Sequence, residues 1–405
     1  MPTFVHIADV HLDARLRFLG ERGREHRANI RAAFTRCVDL ALERRADALL
    51  VAGDLFDSQR PGRGTVEFVR DQFGRLRDAG IAVRIVPGTH DALTPSGVYS
   101  WADLEAVGSV RVYRGEGPGG WDVEHLAGGL TVYARPTLEK GGGLSALQGL
   151  PRDASAQPGC EVALVHATLD LGSNDEEDYI LYPDEVAGSG LAYIAAGHWH
   201  TPRAFGRDQT EGRYPGSPEP VSLDPRRRGQ ALVVTLTPGQ RARVEAVEVG
   251  RIRCDLFDFD VTGHDDEQPL ETEIARMADP DLMLRVRLRG TRGPGWTRAA
   301  GDLADTFSGS FFHLTVDDGA TDELAAGIEA GAGIGAGAGA RAGAGTGAAG
   351  AIFADLPAGT AARGFAERLQ RRLEAAAARG DEQEQRRLAQ ALRLGLALFA
   401  GRDPW

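Results

Sequence analysis

The chain has 405 residues, 42% hydrophobic and 26% charged, with a formal net charge of −12, a composition that suits a globular protein of at least two domains. The acidic balance excludes a surface that binds nucleic acid throughout, so any such role falls to local patches. No apolar run approaches the roughly 20 residues of a membrane helix, and the N-terminus lacks the basic, apolar and small-residue segments of a signal peptide, which predicts a cytoplasmic location.

Residues 4–8, 48–52 and 81–86 are short apolar runs separated by helical periodicity through Ile30, Phe34, Val38 and Ala41 and through Phe68, Phe73 and Leu76. This predicts β-α-β-α-β. Each run stops where a polar motif starts: Asp9-Val10-His11, then Gly53-Asp54, then Gly88-Thr89-His90-Asp91. Ligands bind at the carboxyl ends of strands in open α/β sheets, so three such motifs predict one shared site. Residues 110–249 are strand-rich, with runs at 130–133, 161–165 and 193–196 and a hairpin of 231–234 with 244–247 turning at Pro238-Gly239. Two of these runs again stop at histidines, His166 and Gly197-His198-Trp199-His200. A second sheet on the first is expected.

Residues 1–250 therefore read as the main domain and residues 251–320 as a small α/β unit without a ligand-type cluster. Residues 321–358 are rich in Gly and Ala with little to bury, the composition of a flexible linker. Residues 359–405 recover two apolar stripes, Phe365, Leu369 and Leu373, then Leu388, Ala391, Leu392, Gly395 and Phe399, broken at Arg379-Gly380-Asp381. Such a helical pair needs a surface, either its own domain or a partner's helices. Cys37, Cys160 and Cys254 fit neither a disulfide framework nor a zinc site and read as core residues.

The motifs carry the chemistry. Asp9 and His11, like His198 and His200, are two apart, so on an extended backbone each pair projects to one side and can hold a cation. An isolated histidine is more often a surface or core residue than a ligand, but five of the ten histidines fall in these strand-end motifs. Asp54, after an apolar strand and a glycine that permits a tight turn, is the candidate carboxylate bridging two metals, against a simple turn cap. Asp57 would orient a ligand or cap the following turn. His90 would act on a phosphate, with Asp91 setting its tautomer; otherwise Asp91 is an N-cap. Aspartate, histidine and a bridging carboxylate around two divalent cations suit in-line attack on phosphorus, so phosphoester hydrolysis is the expected chemistry.

The series DxH, GDxxD, GxHD, a histidine after a strand, and GHxH resembles the calcineurin-like metallophosphoesterase superfamily. Within it, Asp9-Val10-His11-Leu12, Gly53-Asp54-Leu55-Phe56-Asp57, Gly197-His198-Trp199-His200 and Tyr214-Pro215-Gly216-Ser217-Pro218 resemble the SbcD-type DNA repair exonucleases, YhaO-like branch. The resemblance covers residues 2–249. It implies a four-layer α/β/β/α core with a small α/β capping domain and a C-terminal helical pair. It also implies two divalent metal ions, usually manganese, a DNA substrate, a homodimer through the core, and attachment of the C-terminal helices to an SbcC-like ATPase. Asp9, His11, Asp54 and His200 look like the ligands of one metal, and Asp54, His166 and His198 like those of the other, with His90 on the scissile phosphate supported by Asp91. One block departs from the family: where GNHD is usual and the Asn ligates the second metal, this chain has Thr89. A hydroxyl is a shorter, weaker neutral ligand, which implies a looser, more hydrated or differently populated second site.

Seven arginines (Arg15, Arg17, Arg22, Arg24, Arg27, Arg31 and Arg36) stand against Glu21 and Glu25. The stretch suits a phosphate backbone, and equally an exposed helix face. Arg226-Arg227-Arg228 is a second basic candidate or a solvated loop. Lys140 is the sole lysine, a bias read first as codon composition and second as selection for phosphate contacts. Three functions stay open: a DNA exo- or endonuclease subunit working with an ATPase, a phosphoesterase on small phosphoesters or phosphoproteins, and an attenuated, non-catalytic scaffold for an ATPase partner.

Overall fold

The structure is a computed structural model and describes residues 1–138, 143–172, 179–224, 228–293 and 295–322, with isolated positions between 368 and 388. Arg226, Arg227 and Lys140 lie outside the described residues. So, apart from Thr321, Asp322 and those isolated positions, do the linker of 321–358 and the helical pair of 359–405. Two compact units are present: Met1–Asp255 with Asp281–Leu284, and Leu256–Pro280 with the chain from Arg285 onward.

The first unit opens with β1 (Thr3–Ile7), α1 (Gly23–Glu43), β2 (Ala48–Ala52), α2 (Arg63–Asp78), β3 (Ala82–Val86) and β4 (Val110–Val112). The four strands pair in parallel and in chain order. β2 is buried at every position, as expected of a central parallel strand covered on both faces. The outer cover comes from α1, whose Ile30, Phe34, Cys37, Val38 and Ala41 are buried, and from α2, which buries Val66, Val69, Phe73 and Leu76. Phe34 and Phe73 meet edge to face at 5.8 Å and join the two helices.

The chain then enters a second sheet through β5 (Asp122–His125), β6 (Thr131–Arg135) and β7 (Glu161–His166), makes a short pair from β8 (Thr168–Leu169) and β9 (Ile180–Leu181), and returns through β10 (Tyr193–Gly197), β11 (Arg203–Phe205) and β12 (Glu211–Tyr214). Strand order is β11-β12-β10-β7-β6-β5. The hairpin β13 (Gln230–Thr235) and β14 (Arg243–Glu248) goes back to the first sheet, β13 antiparallel to β1.

Between the sheets lies one apolar core that joins Phe4, Leu50, Ala52 and Val86 of the first to Val132, Leu164, Tyr193 and Ala195 of the second. Each large side chain fully buried there contributes on the order of 1.5–3 kcal/mol. The far face of the second sheet carries its own cluster, including Trp121, Tyr133, Val165, Ile194 and Tyr214. Its cover is thinner than an α/β/β/α plan suggests. Among the described residues it is irregular chain around Ala146 and Leu147, the β8 and β9 pair, and the six-residue helix Pro183–Gly188. Cys37, Cys160 and Cys254 are buried and form no disulfide among the described residues.

Strands Arg253–Asp260, Asp279–Arg289 and Phe311–Asp318 form a three-stranded sheet, and helices Gln268–Arg276 and Ala300–Phe307 belong to the second unit. Leu270, Ile274, Leu303, Val286, Leu288 and Phe311 are buried. Basic side chains of its middle strand are neutralised, Arg285 by Asp317 and both Arg287 and Arg289 by Asp258.

Candidate metal centre

The site stands at the carboxyl ends of parallel strands from both sheets. Asp9 follows β1 by two residues, Asp54 follows β2 by two, Gly88 follows β3 by two, His166 ends β7 and His198 follows β10. Backbone bonds tie the motifs together: Asp9 N donates to the Gly53 carbonyl at 3.1 Å and His11 N to the Asp54 carbonyl at 3.0 Å. In the second sheet His166 and Gly197 sit opposite each other.

The side chains do not converge through the extended backbone that the two-residue spacing suggests. Asp9, His11 and Asp54 have φ of 52°, 50° and 50°, and His198 has 111°. Each such residue costs about 1–3 kcal/mol and persists only where its surroundings over-determine it, which happens most often at functional sites. Two glycines make the approach possible. Gly53 has φ +85° and a Cβ there would lie 2.2 Å from His166 Nδ1; a Cβ on Gly88 would lie 2.2 Å from Asp54 Oδ1.

Asp9, His11 and His200 bring ligand atoms within 4.8 Å of one another, and so do Asp9, Asp54 and His166. The clusters overlap at Asp9, and Asp54 Oδ2 lies between them, 3.7 Å from His11 Nε2 and 3.4 Å from His166 Nε2. His11 Nε2 and His200 Nε2 face each other at 3.1 Å, the spacing of neighbouring ligands on one cation with bonds of about 2.1 Å. Both key imidazoles are oriented through the other ring nitrogen: His11 Nδ1 bonds Asp57 Oδ1 at 3.2 Å and His166 Nδ1 bonds the Ala52 carbonyl at 3.0 Å. Among the described residues His166 Nε2 is then left buried with no hydrogen-bond partner, a costly state for a polar atom unless a ligand meets it.

Electrostatics agree with that geometry. Burial pushes the Asp54 carboxyl up, but His166, His11 and His90, with the His90 amide, outweigh it and hold the group below the usual carboxylate range. Burial pushes His166 down against the pull of Asp54. The donor set of imidazole nitrogens and carboxylate oxygens suits divalent transition metals. His166 Nε2 and the facing nitrogens of His11 and His200 fit a pair of such ions.

The other expected residues take varied places. His198 donates its amide to both Asp9 oxygens, at 3.0 and 3.1 Å, and sets its ring perpendicular to His166 with centroids 5.3 Å apart. Thr89 Oγ1 reaches Asp54 Oδ2 at 3.5 Å. His90 is exposed, with its ring 4.6 Å from that of His11. Its Nδ1 donates to the Asp57 carbonyl at 3.1 Å, so the expected pairing of its ring with Asp91 is replaced. Asp91 points into the core instead, where it accepts from Gly88 N at 2.7 Å, Phe56 N at 3.1 Å and Tyr99 OH at 2.7 Å. Burial first, and the Asp54 charge second, raise its pKa to about 6. Arg15, Arg17 and Arg24 are exposed and Arg22 half-buried.

Sequence reasoning missed a stack behind the histidine arch. Arg203 lies 4.6 Å from the Trp199 ring, Trp199 stacks on Tyr214 at 5.3 Å, and Trp199 Nε1 donates to Thr168 Oγ1 at 3.3 Å. The position of Trp199 between His198 and His200, and Tyr214 at the head of its own motif, were the signals; Tyr99, which donates to Asp91, gave none.

Comparison with known proteins agrees with this site. Residues 2–202 match the calcineurin-like phosphoesterase family. A DNA double-strand break repair protein Mre11 of Aeropyrum pernix is 34% identical over 266 residues, 62% of this chain and 62% of the relative. An uncharacterized metallophosphoesterase YhaO of Bacillus subtilis is 27% identical over 53% of this chain and 52% of the relative. A subunit of the nuclease SbcCD of Rhodobacter capsulatus is 28% identical over 54% of this chain and 62% of the relative. The chain thus spans between about half and 62% of the length of these relatives. With the family match over residues 2–202 and the candidate ligand residues gathered at the strand ends, that part of the chain is a calcineurin-like phosphoesterase domain.

Proposed function

We propose that the protein is a two-metal phosphodiesterase that cleaves DNA, an exo- or endonuclease subunit of a repair complex with an SbcC-like ATPase. The observation that carries the reading is the buried His166 Nε2, which has no hydrogen-bond partner among the described residues and lies 3.4 Å from the Asp54 carboxylate that two ligand clusters approach. The names of the repair and nuclease relatives support the DNA substrate.

Asp9, His11, Asp54 and His200 would hold one ion, and Asp54, His166 and His198 the other, with Thr89 beside the second. Divalent cations bound there, manganese in this proposal, supply Lewis acidity and positive charge toward a phosphate oxygen. The chain's residues do the rest. Asp57 and the Ala52 carbonyl fix which ring nitrogens of His11 and His166 face the site. His90 stands exposed at its mouth with Nδ1 held by the Asp57 carbonyl, so its Nε2, when protonated, can donate to a leaving oxygen. Asp91 acts one step behind, holding Gly88 and Phe56 so that the loop presents Thr89 and His90.

The test is cutting of labelled linear duplex and single-stranded DNA with manganese, magnesium or chelator, by wild type, Asp54→Ala and Thr89→Asn. Metal-dependent cutting that falls to background in Asp54→Ala is expected; full activity in that variant, at matched purity, overturns the proposal. Thr89 favours a second reading, an attenuated scaffold, whose signature is no cutting by wild type and a gain in Thr89→Asn. Preference for small phosphomonoesters over DNA would instead move the substrate class.

A further inference from the structure

Beside the metal centre, Asp13, Arg24, Arg27, Ala28 and Arg31 line a groove of about 350 Å³. Arg24, Arg27 and Arg31 stand at i, i+3 and i+7 on α1 and so share one face. The guanidinium groups of Arg27 and Arg31 are held, but not neutralised. Arg27 donates to the Arg15 carbonyl at 3.5 Å; Arg31 donates to Thr65 Oγ1 at 2.7 Å and lies 5.3 Å from the Phe68 ring. None of the three forms an ion pair with a carboxylate among the described residues, whereas elsewhere in this unit arginines find acids, as Arg44 does in Glu245, Arg75 in Asp39 and Arg84 in Glu124. The lone acid of the groove, Asp13, turns one oxygen to the Gly62 amide at 2.8 Å. An arrangement that positions cations through a carbonyl, a hydroxyl and a ring keeps their charge available and lowers the ordering cost of binding an anion.

One wall of the groove, Asp13, belongs to the loop that carries His11, and the other is the face of α1. Asp13 is two residues beyond His11, a reach of at most about 7 Å, and Gly62, which it holds, is five residues beyond Asp57, the partner of His11. We propose that this groove is a phosphate subsite that holds the backbone of a polynucleotide next to the phosphate being cut. The inference rests on the nuclease reading and adds to it the element that separates a polynucleotide from a small phosphoester. Repeating phosphates can meet a row of three arginines while one of them occupies the metal centre; a monoester cannot.

The experiment measures binding of a labelled DNA oligonucleotide, single-stranded and duplex, to the full chain across a salt series, with chelator present so that nothing is cut. Wild type is compared with the triple variant Arg24→Gln, Arg27→Gln, Arg31→Gln, the corresponding lysine triple, Asp13→Asn, and a charge control at Arg207→Gln. Removing one arginine–phosphate pairing lowers the slope of log affinity against log salt by about 0.7–0.9, so the glutamine triple is expected to lose about two units of slope and roughly tenfold or more in affinity at low salt. The lysine triple keeps the slope. Asp13→Asn, which retains an acceptor for Gly62, binds more tightly, a change of sign that a merely structural role would not produce. Melting temperatures confirm that each variant is folded. A glutamine triple that binds and, with metal, cuts like wild type overturns the groove and leaves the nuclease reading standing. Wild type that hydrolyses a small phosphoester but neither binds nor cuts DNA removes the nuclease reading and the groove with it. Binding reversed by a phosphopeptide but not by unlabelled DNA overturns the polynucleotide assignment.

Discussion

His6 illustrates how one residue can be set by burial alone. It sits in β1 with no exposure, its Nδ1 bonded to Tyr193 OH at 3.0 Å, and burial lowers its pKa to about 3 against a smaller pull from the Ala196 backbone. The unfolded chain protonates this imidazole below about 6.5 while the folded chain does not. Its neutral-state contribution is therefore full above 6.5 and lost as pH falls toward 3, by up to about 1.4 kcal/mol per pH unit. Urea unfolding between pH 7 and 4 should show a shallower pH slope in His6→Gln than in wild type; identical slopes would refute the assignment. At the metal centre the residue identities of Asp9, His11, Asp54, His166 and His200 were readable from the motifs. The reason they converge was not, because left-handed φ values replace the extended backbone. Nor was the role of Asp91, whose partners Phe56 and Tyr99 are set by packing of a loop rather than by adjacency to His90.

Among the elements, the arch that joins β10 to β11 is backed by the stack of Arg203, Trp199 and Tyr214, with Tyr214 OH anchored on the Ala167 carbonyl at 2.8 Å. Groups that orient ligands from behind typically matter by about 10- to 100-fold in metal affinity. Trp199→Ala should weaken manganese binding, measured by calorimetry, by roughly that factor, whereas Trp199→Phe, which keeps a ring over Tyr214, should stay close to wild type. Equal affinity in the alanine variant would show that the arch holds itself. The strand-end placement of the motifs was legible here, since five-residue apolar runs such as Ala48–Ala52 can only be short buried strands. The order of the second sheet was not, because β10 pairs with β7 across intervening chain that has no periodicity to announce it.

At the scale of the molecule, two sheets share one core and meet at the site, so metal binding and folding of the first unit are linked. A ligand at 100 times its dissociation constant stabilises by about 2.7 kcal/mol, worth roughly 2–4 °C per kcal/mol in a domain of this size. Chelation should therefore lower the melting temperature by several degrees in wild type and change it little in Asp54→Ala. An equal shift in both would mean that the stabilising ion binds elsewhere. Among the described residues no helix is long and apolar enough to cross a membrane.

By itself the sequence determined the candidate ligand motifs and the strand ends at which they stand. Those facts are local, written in apolar runs and in motifs a few residues long. Only the tertiary structure decided that Asp57 rather than Asp91 faces the histidines and that Trp199 backs the arch. It alone separated the arginines of the first unit into those of α1 left without a carboxylate among the described residues and those neutralised elsewhere. Charge pairing and side-chain support join residues far apart in the chain, as Arg84 with Glu124 and Arg44 with Glu245 do, and no spacing rule reaches across that separation.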